Sequence, residues 1–148
     1  MLKLFALLAL GALVSGRANF DSVLLSHDKL TWYQANDFCL NHGYNLVSIH
    51  NIEEQNIVAK AVDALNFWGW IGGYRVTHRN LFMWMDGTAF DYNNWKEPPK
   101  FPSQNPRYAC LSFNHRDHLD NSGQPLNNTW TNYACDQRAY AVCLIPFE

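Results

Sequence analysis

The chain has 148 residues, with 11 Lys and Arg against 13 Asp and Glu, and its formal net charge at pH 7 is -2. It carries no basic excess that would attract nucleic acid or an anionic membrane surface, so we expect neither as a partner. The length suits one domain with a real core.

The N-terminus has the three parts of a secretory signal. A positive start at 1–3 is followed by the apolar block "LFALLALGALV" and by small residues that end at Gly16. The block is too short to span a bilayer. We predict a signal peptide over 1–16, with cleavage after Gly16 or Ala18, and a secreted domain over 19–148 without a transmembrane segment. A buried N-terminal helix is the alternative.

The first predicted helix lies in "TWYQANDFCLNHG". Thr31 and Gln34 have the spacing of a capping box, and Gly43 is a typical helix stop. One face of this helix is apolar and is expected in the core. That face comprises Trp32, Ala35, Phe38 and Cys39.

The second predicted helix lies in "NIEEQNIVAKAVDAL", where Asn51 and Glu54 can cap the first turn. Its apolar residues recur at helical spacing and are also expected in the core. They are Ile57, Val58, Ala61, Val62 and Leu65.

From Phe67 onward, short aromatic and β-branched runs alternate with turn formers, which indicates strands. The predicted strands are "WGWIGG", "LFMWMDG", "YACLSF", "NTWTN" and "YAVCLI", with another around 23–26. Helices followed by strands predict an α+β fold with an antiparallel sheet. The long stretch from Phe90 to Arg107 is rich in turn formers, and such a loop in a small domain is usually functional.

Four cysteines in an exported chain predict two disulfides, and three pairings are possible. A zinc site is the alternative, but the cysteines contain no close C-x-x-C pair. Asn127 begins the N-x-S/T sequon "NNT", which predicts a solvent-facing residue that can carry a glycan.

Several motifs, in their order and spacing, resemble the C-type lectin-like domain family. They are "LTWYQANDFC", "NLVSIHNIEEQ", "WIGG", "WMDGTAFDYNNW" and the C-x7-C spacing that ends at Cys143. The resemblance extends from about Val23 to the end of the chain. It implies two helices packed on antiparallel sheets, a long loop region, and disulfides Cys39–Cys143 and Cys110–Cys135.

Sugar-binding members of this family hold a calcium ion in the long loop, and the ion chelates two sugar hydroxyls. In the segment "KEPPKFPSQNPRYAC", Glu97 matches the first ligand and Pro98 the proline that the family typically holds in cis. Pro99 occupies the third position and Tyr108 stands where a carboxylate is usual. Since calcium prefers several charged oxygen ligands, these replacements weaken the site.

The later ligand positions are altered as well. Thr131 and Asn132 follow Trp130 where the family has an amide and a carboxylate. Glu97 alone is retained, so we expect no calcium cofactor. If an ion does bind, Gln104 and Asn105 are the candidate replacement ligands.

Flat aromatic residues in and near the loop offer a contact surface without metal. We expect Trp95 and Trp130 to be core residues, and Phe101 and Tyr108 to be exposed contact residues. The predicted ligand-binding set is Glu97, Phe101, Gln104, Asn105, Tyr108, Thr131 and Asn132.

A long predicted hairpin between Cys110 and Trp130 contains a group of residues with metal-ligand chemistry. The group is His115, Asp117, His118 and Asp120. A solvated polar loop is the simpler interpretation.

The sequence shows no catalytic constellation, so we predict that the protein is not an enzyme. We expect a secreted recognition protein that binds an extracellular glycan or protein through its long-loop face without the usual calcium ion. The alternatives are a calcium-dependent lectin with replacement ligands and an ice-binding protein similar to the type II antifreeze proteins.

Overall fold

The computed structural model describes residues 17–76, 81–98 and 100–147. The predicted signal peptide and Pro99 therefore lie outside the described residues. In chain order the elements are β1 (Phe20–Leu30), α1 (Trp32–Asn41), β2 (Asn45–Leu46), α2 (Ile52–Leu65), β3 (Gly69–Arg75), β4 (Phe82–Trp84), β5 (Cys110–Phe113), β6 (Trp130–Tyr133) and β7 (Ala139–Pro146). This is the α+β arrangement that the sequence predicts.

The strands of the described residues join in one sheet with the order β1-β7-β3-β5-β6, in which β2 pairs with β7 and β4 with β3. The prediction of a purely antiparallel sheet is wrong at one place. β3 and β7 run parallel, with Gly69 opposite Tyr140 and Trp70 opposite Ala141. They can do so because more than 60 residues separate them, enough for a crossover of the kind that parallel pairs need.

Helix α1 begins as predicted. The Thr31 side chain accepts a hydrogen bond from the Gln34 amide, and the Gln34 side chain accepts one from the Thr31 amide. Beyond the helix end, Gly43 has a φ of 81°, a left-handed conformation that favours glycine.

Helix α2 buries polar residues that the apolar stripe did not predict. Glu54 is fully buried and accepts hydrogen bonds from the backbone amides of Asn19 and His50, at 2.8 and 2.7 Å. Val58 and Val62 are buried as predicted. Glu54 thus anchors β1 and the β2–α2 connection to the start of the helix.

The two disulfides are those that the family resemblance implies. Cys39 in α1 is bonded to Cys143 in β7, and Cys110 in β5 is bonded to Cys135. All four cysteines are therefore used, which excludes a zinc site built from their thiolates.

Close packing explains the two glycines of "WIGG". A Cβ atom at Gly73 would lie 2.3 Å from the side chain of Leu111, and one at Gly72 would lie 2.8 Å from the carbonyl oxygen of Leu46. Strand β3 can therefore contact β5 and the end of β2 only where side chains are absent. Among the described helices, none has the length and apolar character needed to cross a membrane.

Candidate functional site

The base of the long loop rests on Trp130, the first residue of β6. Its ring is fully buried and packs against Trp84 and Trp95, with ring centroids 5.5 and 5.9 Å away. The indole N–H donates a hydrogen bond to Gln55 Oε1 at 2.9 Å. The prediction that Trp130 is a core residue is confirmed, and Trp95 is partly buried against the same cluster.

Asn132, also in β6, holds the C-terminal part of the long loop, at Ser103 and Tyr108. Its Oδ1 accepts a hydrogen bond from the Ser103 amide at 2.7 Å. Its Nδ2 donates to the carbonyl oxygens of Ser103 and Tyr108, at 2.9 and 2.7 Å. The sequence predicts that Asn132 contacts a ligand. In the structure Asn132 is fully buried, so its side chain supports the loop from below and is not exposed to a ligand.

Lys96 holds the middle of the long loop against β6 and the hairpin. Its backbone amide donates to the carbonyl oxygen of Trp130 at 2.9 Å. Its ammonium group lies 2.5 Å from Asp120 Oδ2 and 2.8 Å from Glu97 Oε1, and only 8% of the side chain is exposed. Lysine is rarely this buried unless it is paired.

Asp120 belongs to the turn of the hairpin between β5 and β6. Its Oδ1 accepts hydrogen bonds from the Ser122 amide, the Ser122 hydroxyl and the Gln124 amide, at 2.8, 2.6 and 2.9 Å. One carboxylate oxygen therefore organises the turn and the other holds Lys96.

Lys100 completes the charge balance, because its Nζ lies 3.6 Å from Glu97 Oε2. Two ammonium groups thus face the two carboxylates of Glu97 and Asp120, and the formal charges sum to zero. The hydrogen bond from Lys96 lowers the pKa of both Asp120 and Glu97. In return, the hydrogen bonds to Asp120 and then Glu97 raise the pKa of Lys96.

A groove of about 400 Å³ lies beside this ion cluster, and we call it the loop-face groove. Phe101, one residue after Lys100, lines it from the long loop, and Leu119, one residue before Asp120, lines it from the hairpin. The full lining is Lys96, Lys100, Phe101, Leu119, Asp120, Asn121, Ser122, Leu126, Thr131 and Tyr133. The groove therefore combines apolar walls with charged and hydroxyl groups, which is the general composition of a ligand site.

A second groove of about 390 Å³ is aromatic. It is lined by Trp68, Tyr108, Tyr133, Ala134 and Gln137. Tyr133 contributes to both grooves, whereas Phe101 and Tyr108 lie in different ones.

The remaining predicted residues are distributed as follows. Gln104 and Asn105 are exposed, and Asn105 Oδ1 accepts a hydrogen bond from the Arg107 amide at 3.1 Å. Thr131 is buried, and its hydroxyl lies 3.0 Å from that of Ser112. Glu97 is half exposed at 51% and pairs with the two lysines. The structure therefore does not bring the predicted ligand set together at one point.

The expected position of the cis proline is wrong. Within the described residues the cis peptide bond is Phe101–Pro102, and the bond before Pro98 is not cis.

The residues present do not fit a calcium ion. The amide of Asn132 is used by loop backbone, and the carboxylate of Glu97 is neutralised by ammonium groups. The buried Lys96 ammonium adds a positive charge beside the carboxylates that such an ion would need. Nowhere in the described parts of the chain do three or more His, Cys, Asp or Glu side chains form a group that could hold a metal.

The predicted His and Asp group of the hairpin does not converge on one point, although the rings of His115 and His118 lie 5.0 Å apart. His115 is buried, with Nε2 3.2 Å from the carbonyl oxygen of Asp63. The ring of His118 lies against Phe67, with centroids 5.8 Å apart. Asp120 binds Lys96, and these four side chains form no group that could hold a metal. The solvated-loop interpretation fits the exposed Asp117 but not the buried His115.

Elsewhere the structure places a serine, a histidine and a carboxylate in a row. His50 Nδ1 lies 2.8 Å from Asp91 Oδ1, and His50 Nε2 lies 3.2 Å from Ser48 Oγ. Ser48 is only 2% exposed, and its hydroxyl donates its hydrogen to Asp86. The Ser48 hydroxyl is therefore not an accessible nucleophile, and we interpret the arrangement as a structural hydrogen-bond network.

Sequence reasoning missed Lys96, Leu119 and Tyr133 as parts of this surface. Lys96 stands directly beside Trp95 and Glu97, so the sequence did carry a signal: a cation adjacent to the expected metal ligand. Its pairing with Asp120 could not be read from the sequence, because 24 residues separate the two.

A family profile described as "Lectin C-type domain" matches residues 28–145. The chain belongs to the C-type lectin family. The match covers both helices, the loop-face groove and both disulfides, so the fold and the candidate site lie within the family domain.

Similar proteins include lectins and ice-structuring proteins. The galactose-specific lectin nattectin of Thalassophryne nattereri is 37% identical over 77% of this chain and 67% of its own length. Ladderlectin of Oncorhynchus mykiss is 36% identical over 59% of this chain, and a type-2 ice-structuring protein of Osmerus mordax is 36% identical over 80%. The matches cover 47% and 61% of the length of these last two relatives.

Solved structures agree on the fold. A calcium-independent type II antifreeze protein is 25% identical with a TM-score of 0.70, over 84% of this chain and 85% of its own. The C-type lectin CEL-I of Cucumaria echinata has the same TM-score at 22% identity, over 89% of this chain and 95% of its own.

Proposed function

We propose that this protein is an extracellular recognition protein that binds a glycan in the loop-face groove without a calcium ion. The observation that carries the proposal is the Lys96 ammonium, paired with Glu97 and Asp120 beside a groove that Phe101 and Tyr133 line with aromatic rings. Aromatic rings stack on the apolar faces of sugar rings, and the hydroxyl and charged groups of the lining supply hydrogen bonds. A protein surface is the alternative ligand for the same face.

The family supports a binding role, and the relatives supply a first ligand to try. Nattectin is named a galactose-specific lectin, so galactose is a reasonable probe. No step of this recognition requires bond cleavage or formation, and we accordingly propose that the protein is not an enzyme.

The test is retention of the purified protein on galactose-agarose and on a broader glycan array, each in calcium and in a chelator. We expect a glycan that is bound equally in both buffers. Phe101→Ala should weaken that binding, whereas Phe147→Ala, which removes an exposed ring outside the groove, should not. Binding only in calcium would support the calcium-dependent lectin instead, and failure on all glycans would favour a protein ligand.

A thermal melt gives a ligand-free test of calcium independence. A bound ion would raise the melting temperature by mass action. We expect the same melting temperature in calcium and in chelator, because the Lys96 ammonium competes for the carboxylates of Glu97 and Asp120.

Ice binding is a second candidate function, favoured by the likeness to ice-structuring proteins in both sequence and structure. It is tested by measuring thermal hysteresis and inhibition of ice recrystallisation. Activity in these assays that survives Phe101→Ala would place the function outside the loop-face groove.

We further propose that the protein is secreted and that Asn127 carries a glycan. Two disulfides are typical of an oxidising compartment. Asn127 is exposed, has a φ of 55° in a turn, and begins the sequon. The mass of the protein secreted from eukaryotic cells, before and after treatment with a peptide N-glycosidase, tests both the signal cleavage and the glycan.

A further inference from the structure

Two segments that are distant in sequence form the walls of the loop-face groove. The long loop contributes Phe101 and the hairpin contributes Leu119, a residue that is 62% exposed. The ion pair between Lys96 and Asp120 is a direct side-chain contact between these two segments. This pair therefore links the two walls directly.

Lys96 is itself held in place from the core. Its backbone amide binds the carbonyl oxygen of Trp130, and the amide of Trp130 binds the carbonyl oxygen of Asn94 at 2.8 Å. Its ammonium group is held by burial and by the carboxylates of Asp120 and Glu97, unlike the exposed Lys100 ammonium nearby.

The hairpin turn is organised around the carboxylate that meets this charge. The amides of Ser122 and Gln124 donate to Asp120 Oδ1, and the amide of Gly123 donates to the Asp120 carbonyl oxygen at 3.0 Å. Removing the ammonium would leave Asp120 and Glu97, two carboxylates that share one cation, without their common partner. Two carboxylates held against the same cation repel each other once it is removed.

We propose that Lys96 is the positioning residue of the loop-face groove, a built-in cation that clamps the long loop onto the hairpin turn. The clamp acts through charge, so its effect depends on the ammonium and not on the length of the side chain. That the clamped groove is the binding site rests on the function proposed above, but the clamp itself does not.

The test is amide hydrogen exchange of the hairpin turn in Lys96→Met, which keeps a long flexible side chain and removes the charge. We expect the amides of 120–124 to exchange roughly tenfold faster than in the wild type, as loss of a charge-assisted contact implies. The amide of Val47, which donates to Val142 in the core sheet, should be unchanged and serves as the internal reference. Lys100→Met, which removes the exposed neighbouring cation, is the matched control and should leave 120–124 protected.

A double variant separates charge from packing. If the clamp acts through charge, Lys96→Met should have little further effect in the Asp120→Asn background, where the lysine has already lost its charged partner. Unchanged exchange on going from wild type to Lys96→Met would overturn the proposal. So would an equal acceleration by Lys96→Met with and without the Asp120 charge, because the lysine would then act through packing. No ligand is needed, so a failed glycan assay in the wild type bears only on the proposed function.

Discussion

His50 Nδ1 lies 2.8 Å from the Asp91 carboxylate and thereby joins the start of the second helix to the beginning of the long loop. On the other side of the ring, Nε2 lies 2.9 Å from the Thr88 hydroxyl. The contact lowers the pKa of Asp91, mainly through the hydrogen bond with His50.

We expect His50→Phe to raise the pKa of Asp91 toward its ordinary range, because the ring that donates to the carboxylate is lost. The variant should also lose about 1 to 2 kcal/mol of unfolding free energy through its broken hydrogen bonds. Carboxyl NMR titration and urea unfolding measure the two effects. Asp91→Asn, at a mostly exposed position, should cost less than about 1 kcal/mol. A pKa for Asp91 that is the same in His50→Phe and wild type would contradict this account.

Gln55 connects the second helix to the base of the loop. Its Oε1 accepts from the Trp130 indole, and its Nε2 donates to the carbonyl oxygen of Asn128 at 2.8 Å. Gln55→Leu should cost roughly 1 to 3 kcal/mol, because it leaves a buried indole N–H without its acceptor. Asn56→Leu, at the neighbouring exposed position, is the control and should stay within about 0.5 kcal/mol of wild type. Equal unfolding midpoints for the two variants would refute the role of Gln55.

The two disulfides should differ in their effect on stability. Cys39 and Cys143 are 104 residues apart in sequence, whereas Cys110 and Cys135 are 25 apart. In the chain-entropy model these closures contribute about 3 to 5 kcal/mol, and the longer loop contributes more. We therefore expect the paired substitution Cys39→Ala with Cys143→Ala to lower the urea midpoint more than Cys110→Ala with Cys135→Ala. The reverse order would mean that packing around the shorter loop outweighs chain entropy.

Acid should weaken the ion cluster. The folded pKa values of Asp120 and Glu97 are lowered. Their contribution to stability is thus complete above the ordinary carboxylate range near pH 4, and it is lost as the pH falls through the folded values. Lys96 behaves in the opposite sense. Its raised pKa means that its contribution is complete below the ordinary lysine pKa of about 10.4 and is lost as the pH rises through the higher folded value.

The pH profile of urea unfolding checks the acid limb. Between about pH 6 and about pH 2, Asp120→Asn should lose stability less steeply than the wild type, because one carboxylate with a lowered pKa is gone. Asp136→Asn, at an exposed position, should follow the wild-type slope. An Asp120→Asn profile parallel to the wild type would show that the pair contributes little to folding.

The sequence predicted the elements well because they depend on local chemistry. Thr31 with Gln34 and Asn51 with Glu54 identify the helix starts, and the apolar runs identify the main strands. The parallel contact of β3 with β7 could not be read, because it depends on which distant strands become neighbours. The disulfide pairing came from the family resemblance, and the cysteine spacing alone left three choices.

The site was predicted less well, because side-chain pairing across long sequence separations decides it. Glu97 was correctly placed in the loop, but the partners that neutralise it were not foreseen. The sequence predicts that Asn132 binds a ligand, whereas in the structure its side-chain amide is hydrogen-bonded to the backbone of Ser103 and Tyr108. The residue type at a position limits the contacts that it can make, but the contacts that it does make depend on neighbours that only the fold reveals.

The indole cluster under the loop also gives the protein an optical signature. Trp84 and Trp95 both meet Trp130 nearly edge to face, at interplanar angles of 79° and 80°. Aromatic rings held this close in fixed, chiral orientations give strong near-ultraviolet circular dichroism, which disappears when specific packing is lost even if secondary structure remains. Since these three tryptophans come from β4, the long loop and β6, their dichroism follows the packing of the long loop onto the sheet in real time, without a label.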